Sequence, residues 1–217
     1  MRKSSVKPSL QNYFDWLQVF SKTLNCVYEL PNTTIMREYK QEIFEAFVAK
    51  IWTQWEILAE DMIIDCLNKD TTQYAEYVGL ILPKHITRVQ CELMLRGIKY
   101  FEVQSVEELR KTAKRILTVK NNPFSSITAH QIKKLEEFRL LRNYICHYSW
   151  QAERSLFNVY ETTYKLKRFP QPGPFLMASV GKQKKNRLNS YIDVFIETGK
   201  TLANALGIDY TNLMQRA

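Results

Sequence analysis

The sequence predicts an all-α fold, an antiparallel helical bundle, on three observations. The 217 residues include only 6 Gly and 7 Pro, so few turns are signalled. Apolar residues recur three and four apart over long runs, the spacing of one buried helix face. Hydrophobic residues make up 45% of the chain, which suits a real core in a single α-helical domain over residues 1–217.

The first helix is expected over 9–30, with Tyr13, Trp16, Leu17, Phe20, Leu24 and Val27 on one side and Pro31 ending it. A long helix follows from about Ile35 to Leu67, striped by Phe44, Phe47, Val48, Ile51, Trp55, Leu58, Ala59, Met62 and Ile63. "NKDTT" ends it. Residues 73–101 give one or two helices interrupted near Pro83. "SVEELRKTAKRIL" opens with a Ser-x-x-Glu capping box, Ser105 and Glu108, and predicts a helix to about Lys120. "NNPFSS" is a loop, and a helix spans about Thr128 to Trp150. Residues 152–166 fit another helix, with a strand left open by their β-branched and aromatic content. "RFPQPGPF" is a loop. "RLNSYIDVFIETGKTLANAL" is the last amphipathic helix, stopped by Gly207. No repeat, low-complexity tract or domain linker is visible.

The 31 Lys+Arg outnumber the 22 Asp+Glu, a net charge of +9 with pI near 9.3. Such a surface attracts polyanions, nucleic acid first and an acidic membrane surface second. Cys26, Cys66, Cys91 and Cys146 form no Cys-x-x-Cys pair, so zinc and redox motifs are unsupported. Cys66 and Cys146, in apolar helical stretches, are expected as buried free thiols. The N-terminus has positive charge without an apolar core segment, so no signal peptide is expected, and no run approaches 18 apolar residues. A reducing, cytoplasmic location without membrane association follows as the expectation. A phosphate loop, a Gly-x-Ser-x-Gly elbow and a His-Glu-x-x-His motif are absent from the sequence.

The stretch "EEFRLLRNYICHYSW", residues 136–150, carries the chemistry. Phe138, Leu141, Ile145 and Tyr148 mark a helix face, with Arg142, Asn143 and His147 set among them. Asn143 and His147 are four apart and share a face. Arg142 and His147 are five apart, about 140° around the axis, too far to meet at one small ligand. Either the helix distorts near Cys146 and turns His147 back toward Arg142, or the helix crosses its own copy in a dimer. A structural explanation also exists: an Arg beside an apolar stripe buries its stem and pairs its head with a carboxylate, here Glu56 or Glu60 of the long helix.

"RNYICH", Arg-Asn-x-x-x-His on a helix late in an all-α chain, resembles the signature of the HEPN superfamily. "FVAKIWTQWEILAEDMIIDCL", residues 47–67, looks like the early helix of the RiboL-PSP type of that family, with Trp55, Glu56, Glu60 and Asp61 as its aromatic and acidic positions. The two helices cover about a fifth of the chain.

The resemblance implies a HEPN-type bundle and a metal-independent endoribonuclease, a toxin or defence effector working without a cofactor. It implies a homodimer that acts on RNA, with an antitoxin or second defence subunit as a further partner. His147 would move protons, since an imidazole changes protonation near neutral pH. Arg142 would stabilise charge on a phosphorane with its planar fork. Asn143 would bind the phosphate or orient His147, and Glu56 and Glu60 would support the site. Some HEPN toxins carry a Tyr two residues after the His, where a nucleotidyltransferase modifies them. Here Ser149 holds that position and the Tyr is at 148, so that route of neutralisation is not expected.

Before the C-terminal helix, no acid lies between Glu161 and Asp193, while Lys165, Lys167, Arg168, Lys182, Lys184, Lys185 and Arg187 do. This predicts a solvated basic loop that grips RNA, with Phe169 and Phe175 stacking on bases. The rival from another class is a catalytically inactive HEPN-like module for dimerisation or for binding RNA or protein. A helix-turn-helix DNA-binding protein is ranked last, because no helix shows the short turn and polar recognition face.

Overall fold

A computed structural model describes residues 5–97, 103–181 and 185–214 of the chain. Among them are ten α-helices, two 3-10 turns and one two-stranded sheet. In chain order they are α1 (Lys7–Glu29), α2 (Arg37–Lys69), α3 (Thr72–Val78), α4 (Arg88–Arg96), α5 (Val106–Ile116), α6 (Ala129–His147), α7 (Trp150–Tyr164), α8 (Pro172–Met177), β1 (Ser179–Val180), β2 (Lys185–Asn186), α9 (Arg187–Ala205) and α10 (Thr211–Met214). The all-α class is thus what the chain adopts. No helix among the described residues is long and apolar enough to cross a membrane.

The chain divides into two compact units, and α1, α2, α6 and α9 each supply residues to both. The first comprises Met1–Asp15, Gln54–Ile132 and Glu197–Ala217; the second comprises Trp16–Thr53 and Lys133–Ile196.

In the first unit, the end of α2 is buried on every side: Met62 through Asn68 are all inaccessible. A helix enclosed this way must satisfy its polar side chains internally. Asp65 pairs with Arg88, which also holds Asp61 and, at 3.0 Å, Glu92. Asn68 donates to the carbonyl of Ile86 at 2.6 Å, and Thr71 to that of Pro83 at 2.6 Å, fastening the 80–87 segment. α4 begins with a full capping box: Gln90 N donates to Thr87 Oγ1 at 3.2 Å, and Thr87 N to Gln90 Oε1 at 2.9 Å. The box expected at Ser105 is half made. Ser105 Oγ accepts from Glu108 N at 3.0 Å, while the Glu108 carboxylate takes Lys111 at 2.7 Å. α5 stops at Ile116, short of Lys120, because Leu117 turns to extended backbone and is buried there. "NNPFSS" is a 3-10 turn, Pro123–Ser126, capped by Asn122 Oδ1 on Phe124 N at 3.1 Å. α9 ends as expected at Gly207 (φ +67), with Ile208 N reaching back to Ala203 O at 2.9 Å.

In the second unit, the alternative left open for 152–166 resolves as helix α7. The segment expected as a solvated loop contains α8 and the β1–β2 hairpin, which pairs Ser179 with Asn186 and Val180 with Lys185. The physical reason is that Pro172 and Pro174 occupy the first helical turn, where a missing N–H costs nothing. Gly173 brings the backbone so close to α2 that a Cβ would lie 2.6 Å from that of Gln41. Its N–H donates to Glu45 Oε1 at 2.7 Å.

Candidate functional site

α6 starts from a capping box that the sequence carries as Thr-x-x-Gln: Gln131 N donates to Thr128 Oγ1 at 3.2 Å, and Thr128 N to Gln131 Oε1 at 2.9 Å. Its buried face is Leu135, Phe138, Leu141 and Tyr144. Phe138 stacks edge-on against Tyr191 and Phe195 of α9, at 5.3 and 4.8 Å between centroids. Glu137, 3% exposed, accepts through Oε2 from Lys134 Nζ at 2.7 Å, Tyr164 OH at 2.9 Å and Tyr191 OH at 3.3 Å. The buried stripe therefore lies slightly earlier than expected: Ile145 is half-buried, and Tyr148 is 64% exposed. Cys146, expected to be buried, is exposed; the buried thiols are Cys66 and Cys91.

Arg142 and Asn143 are half-buried, and His147 is exposed on the last turn. Arg142 Nη1 donates to Asn143 Oδ1 at 3.3 Å, a long bond between sequence neighbours. α6 remains helical through His147, and Tyr148 N closes the final turn on Tyr144 O at 2.8 Å. The helix thus does not distort near Cys146, and Arg142 and His147 stay about 140° apart around the axis. The break comes one residue later. Tyr148 has φ +47, a left-handed conformation that costs an L-residue with a side chain roughly 1–2 kcal/mol. Ser149 Oγ then accepts from Ala152 N at 3.2 Å and starts α7, leaving Trp150 69% exposed.

Within the second unit, no carboxylate pairs with Arg142 among the described residues. Glu56 and Glu60 belong to the first unit. Glu56 is half-buried, and Glu60 accepts from Arg96 Nε at 2.6 Å. The acidic cluster at the end of α2 is thereby engaged with α4.

The basic segment separates into three groups. Lys165, Lys167 and Arg168 are exposed. Lys182 and Lys184 lie outside the described residues. Lys185 pairs with Asp193 at 2.6 Å, and Arg187 is packed inward. Its guanidinium lies 3.9 Å from the Phe175 ring centroid, and Nη1 donates to Phe175 O at 2.7 Å. Phe175 is 3% exposed, so the expected base stacking on it is corrected: that ring is core. Phe169 is half-buried among Tyr144, Phe157 and Tyr160. Comparison of the chain with protein-family models, with curated proteins and with solved structures found no match.

Proposed function

We propose that the chain is a metal-independent endoribonuclease of the HEPN type, a toxin or defence effector acting in the cytoplasm. Its composite site takes Arg142, Asn143 and His147 from two copies. One observation carries the reading. α6 stays regular through His147, so one copy offers an exposed imidazole and a guanidinium that no carboxylate among the described residues pairs with, on well-separated sides of one helix. A two-fold axis near this surface brings two such sets together. The exposed rings of Tyr148 and Trp150, flanking His147 in sequence, supply apolar area for that contact. The left-handed backbone of Tyr148 is strain of the kind that accumulates at working sites.

The chemistry needs only groups that this chain carries. His147 of one protomer takes the proton of an RNA 2′-hydroxyl, whose oxygen attacks the adjacent phosphorus. The bond to the 5′-oxygen breaks, and that oxygen takes a proton from the imidazolium of the partner subunit's His147. Arg142 donates to the non-bridging oxygens as charge grows on them, and Asn143 binds the phosphate or orients the imidazole. The products are a 2′,3′-cyclic phosphate and a 5′-hydroxyl, with one proton moved from one His147 to the other.

Purified wild type and His147→Ala should be compared for RNA cleavage in EDTA, with circular dichroism on both. Removing the proton-transfer group is expected to slow cleavage about 10²–10⁴-fold while the fold persists. Cleavage by neither protein favours an inactive binding module. Equal cleavage by both places the activity elsewhere. A wild type that cuts RNA while sedimenting as a monomer refutes the composite site.

A further inference from the structure

In the first unit, a cleft of about 370 Å³ opens between α5 and the two 3-10 turns that follow it. Small-molecule sites begin at about this volume. Arg110, Lys111 and Lys114 of α5 line it, together with Glu107 of the same helix. Lys111 is engaged with Glu108, and Arg110 pairs with Glu107 at 3.4 Å and donates to Phe124 O at 3.3 Å, but Lys114 is exposed and has no carboxylate partner among the described residues. Glu107 is the one acid in the lining, and beyond it the basic residues prevail: no acid lies between Glu108 and Glu136, and Arg115 and Lys120 fall in that stretch.

The rest of the lining has another character. Leu117 is buried, and Val119 stands at the cleft 94% exposed, a β-branched apolar side chain left in water. Asn122, also in the lining, accepts from Phe124 N through Oδ1, and its amide N–H groups remain to donate. Ser125 Oγ donates to Asn122 O at 2.9 Å and keeps its lone pairs to accept.

We propose that this cleft binds a nucleoside phosphate, as a free nucleotide or as one unit of a strand. The phosphoryl oxygens lie against Lys114, the lining cation that no carboxylate among the described residues engages. The base lies across Val119, its edge within reach of Asn122 and Ser125. The bipartite lining favours this ligand over an acidic peptide, which would leave the apolar side unused. The assignment stands apart from the reading of α6 and survives if that reading fails.

The test is calorimetric titration of the wild-type protein with AMP, UMP, inorganic phosphate and hexaglutamate. A 2′-O-methyl uridine dodecamer, which cannot be cut through its 2′-oxygen, tests the strand. Saturable mononucleotide binding is expected, with inorganic phosphate at least about tenfold weaker because it lacks the base. Lys114→Ala should weaken the nucleotide about tenfold, the loss of one charged hydrogen bond. It should also reduce the salt dependence of dodecamer binding by about one counterion. Val119→Asp, at a position with no packing to lose, should abolish binding without lowering the melting temperature. Lys50→Ala, on α2, should change nothing. Binding of mononucleotide alone identifies a free nucleotide as the ligand; binding of both identifies a strand. Absence of saturable nucleotide binding overturns the proposal, as does indifference to both Lys114→Ala and Val119→Asp. Hexaglutamate that displaces the nucleotide at equal concentration makes the cleft a site for acidic peptides instead.

Discussion

Replacing Glu137 by Ala tests what holds the motif helix in place. One carboxylate oxygen of Glu137 joins α6 to Tyr164 of α7 and Tyr191 of α9, five residues before Arg142. Hydrogen bonds to a charged group contribute about 1.5–3 kcal/mol each. Lys134 is partly exposed and falls at the low end, and the Tyr191 bond at 3.3 Å adds little. After truncation, the two tyrosine hydroxyls still bond each other at 2.8 Å, so neither is orphaned. The expected loss is about 3–4 kcal/mol, within the range for removing one partner of a buried ion pair. For a chain of this length that lowers the melting temperature by about 10 °C. Glu136→Ala is the comparison. Its carboxylate pairs at 2.7 Å with Arg139, both partly exposed, and should cost under about 1 kcal/mol. Urea denaturation followed by circular dichroism reads both variants. If Glu137→Ala unfolds within about 1 kcal/mol of wild type, or Glu136→Ala costs as much, the network does not carry the helix.

Stability should fall as pH rises above about 10. Burial raises the hydroxyl pKa of Tyr13, Tyr160, Tyr164 and Tyr191, so the unfolded chain sheds protons there that the folded chain keeps. Lys134 acts in the same direction. Burial opposes its charge, but the hydrogen bond to Glu137 and the charges around it outweigh that and raise its pKa, a stabilisation lost as pH passes upward through the raised value. Urea titrations at pH 8 to 11, with tyrosinate absorbance, check this; a flat profile with all 12 tyrosines ionising normally would refute it. Thiol labelling should distinguish the cysteines. Cys66 and Cys91 are held back by burial, which pushes their pKa to about 12 and about 11, and should react only on unfolding. Cys26 should react at once, and Cys146, next to His147, should be protected as protein concentration rises if the dimer forms there. Labelling of Cys146 that is independent of concentration counts against that interface.

The long helices were legible because their apolar residues repeat with the helical period: α1, α2 and α9 begin and end within about two residues of expectation. Local chemistry is legible in the same way: the Thr-x-x-Gln boxes that open α4 and α6 stand in the sequence. The proline-rich stretch departs from expectation because prolines signal a loop by composition, yet are compatible with a first helical turn once Phe175 and Leu176 have a core to enter. Of the candidate site, Arg142, Asn143 and His147 were visible as a string. Their separation around a helix followed from the period alone, whereas the helix's regularity to His147 and the reversal at Tyr148 did not.

By itself, the sequence determined the helical class, the main helices, the excess of positive charge and the three polar residues on α6. Tertiary structure alone decided which charges are available. Arg187 and Lys185 were indistinguishable from Lys165 as letters, but one is folded onto Phe175 and the other paired with Asp193. The acids at the end of α2 are engaged with Arg88 and Arg96, and Lys114 stands uncommitted beside a cleft. Net charge adds up along the chain in any conformation. Whether a given charge can meet a ligand depends on which neighbour folding brings within hydrogen-bonding reach, and that neighbour is often distant in sequence.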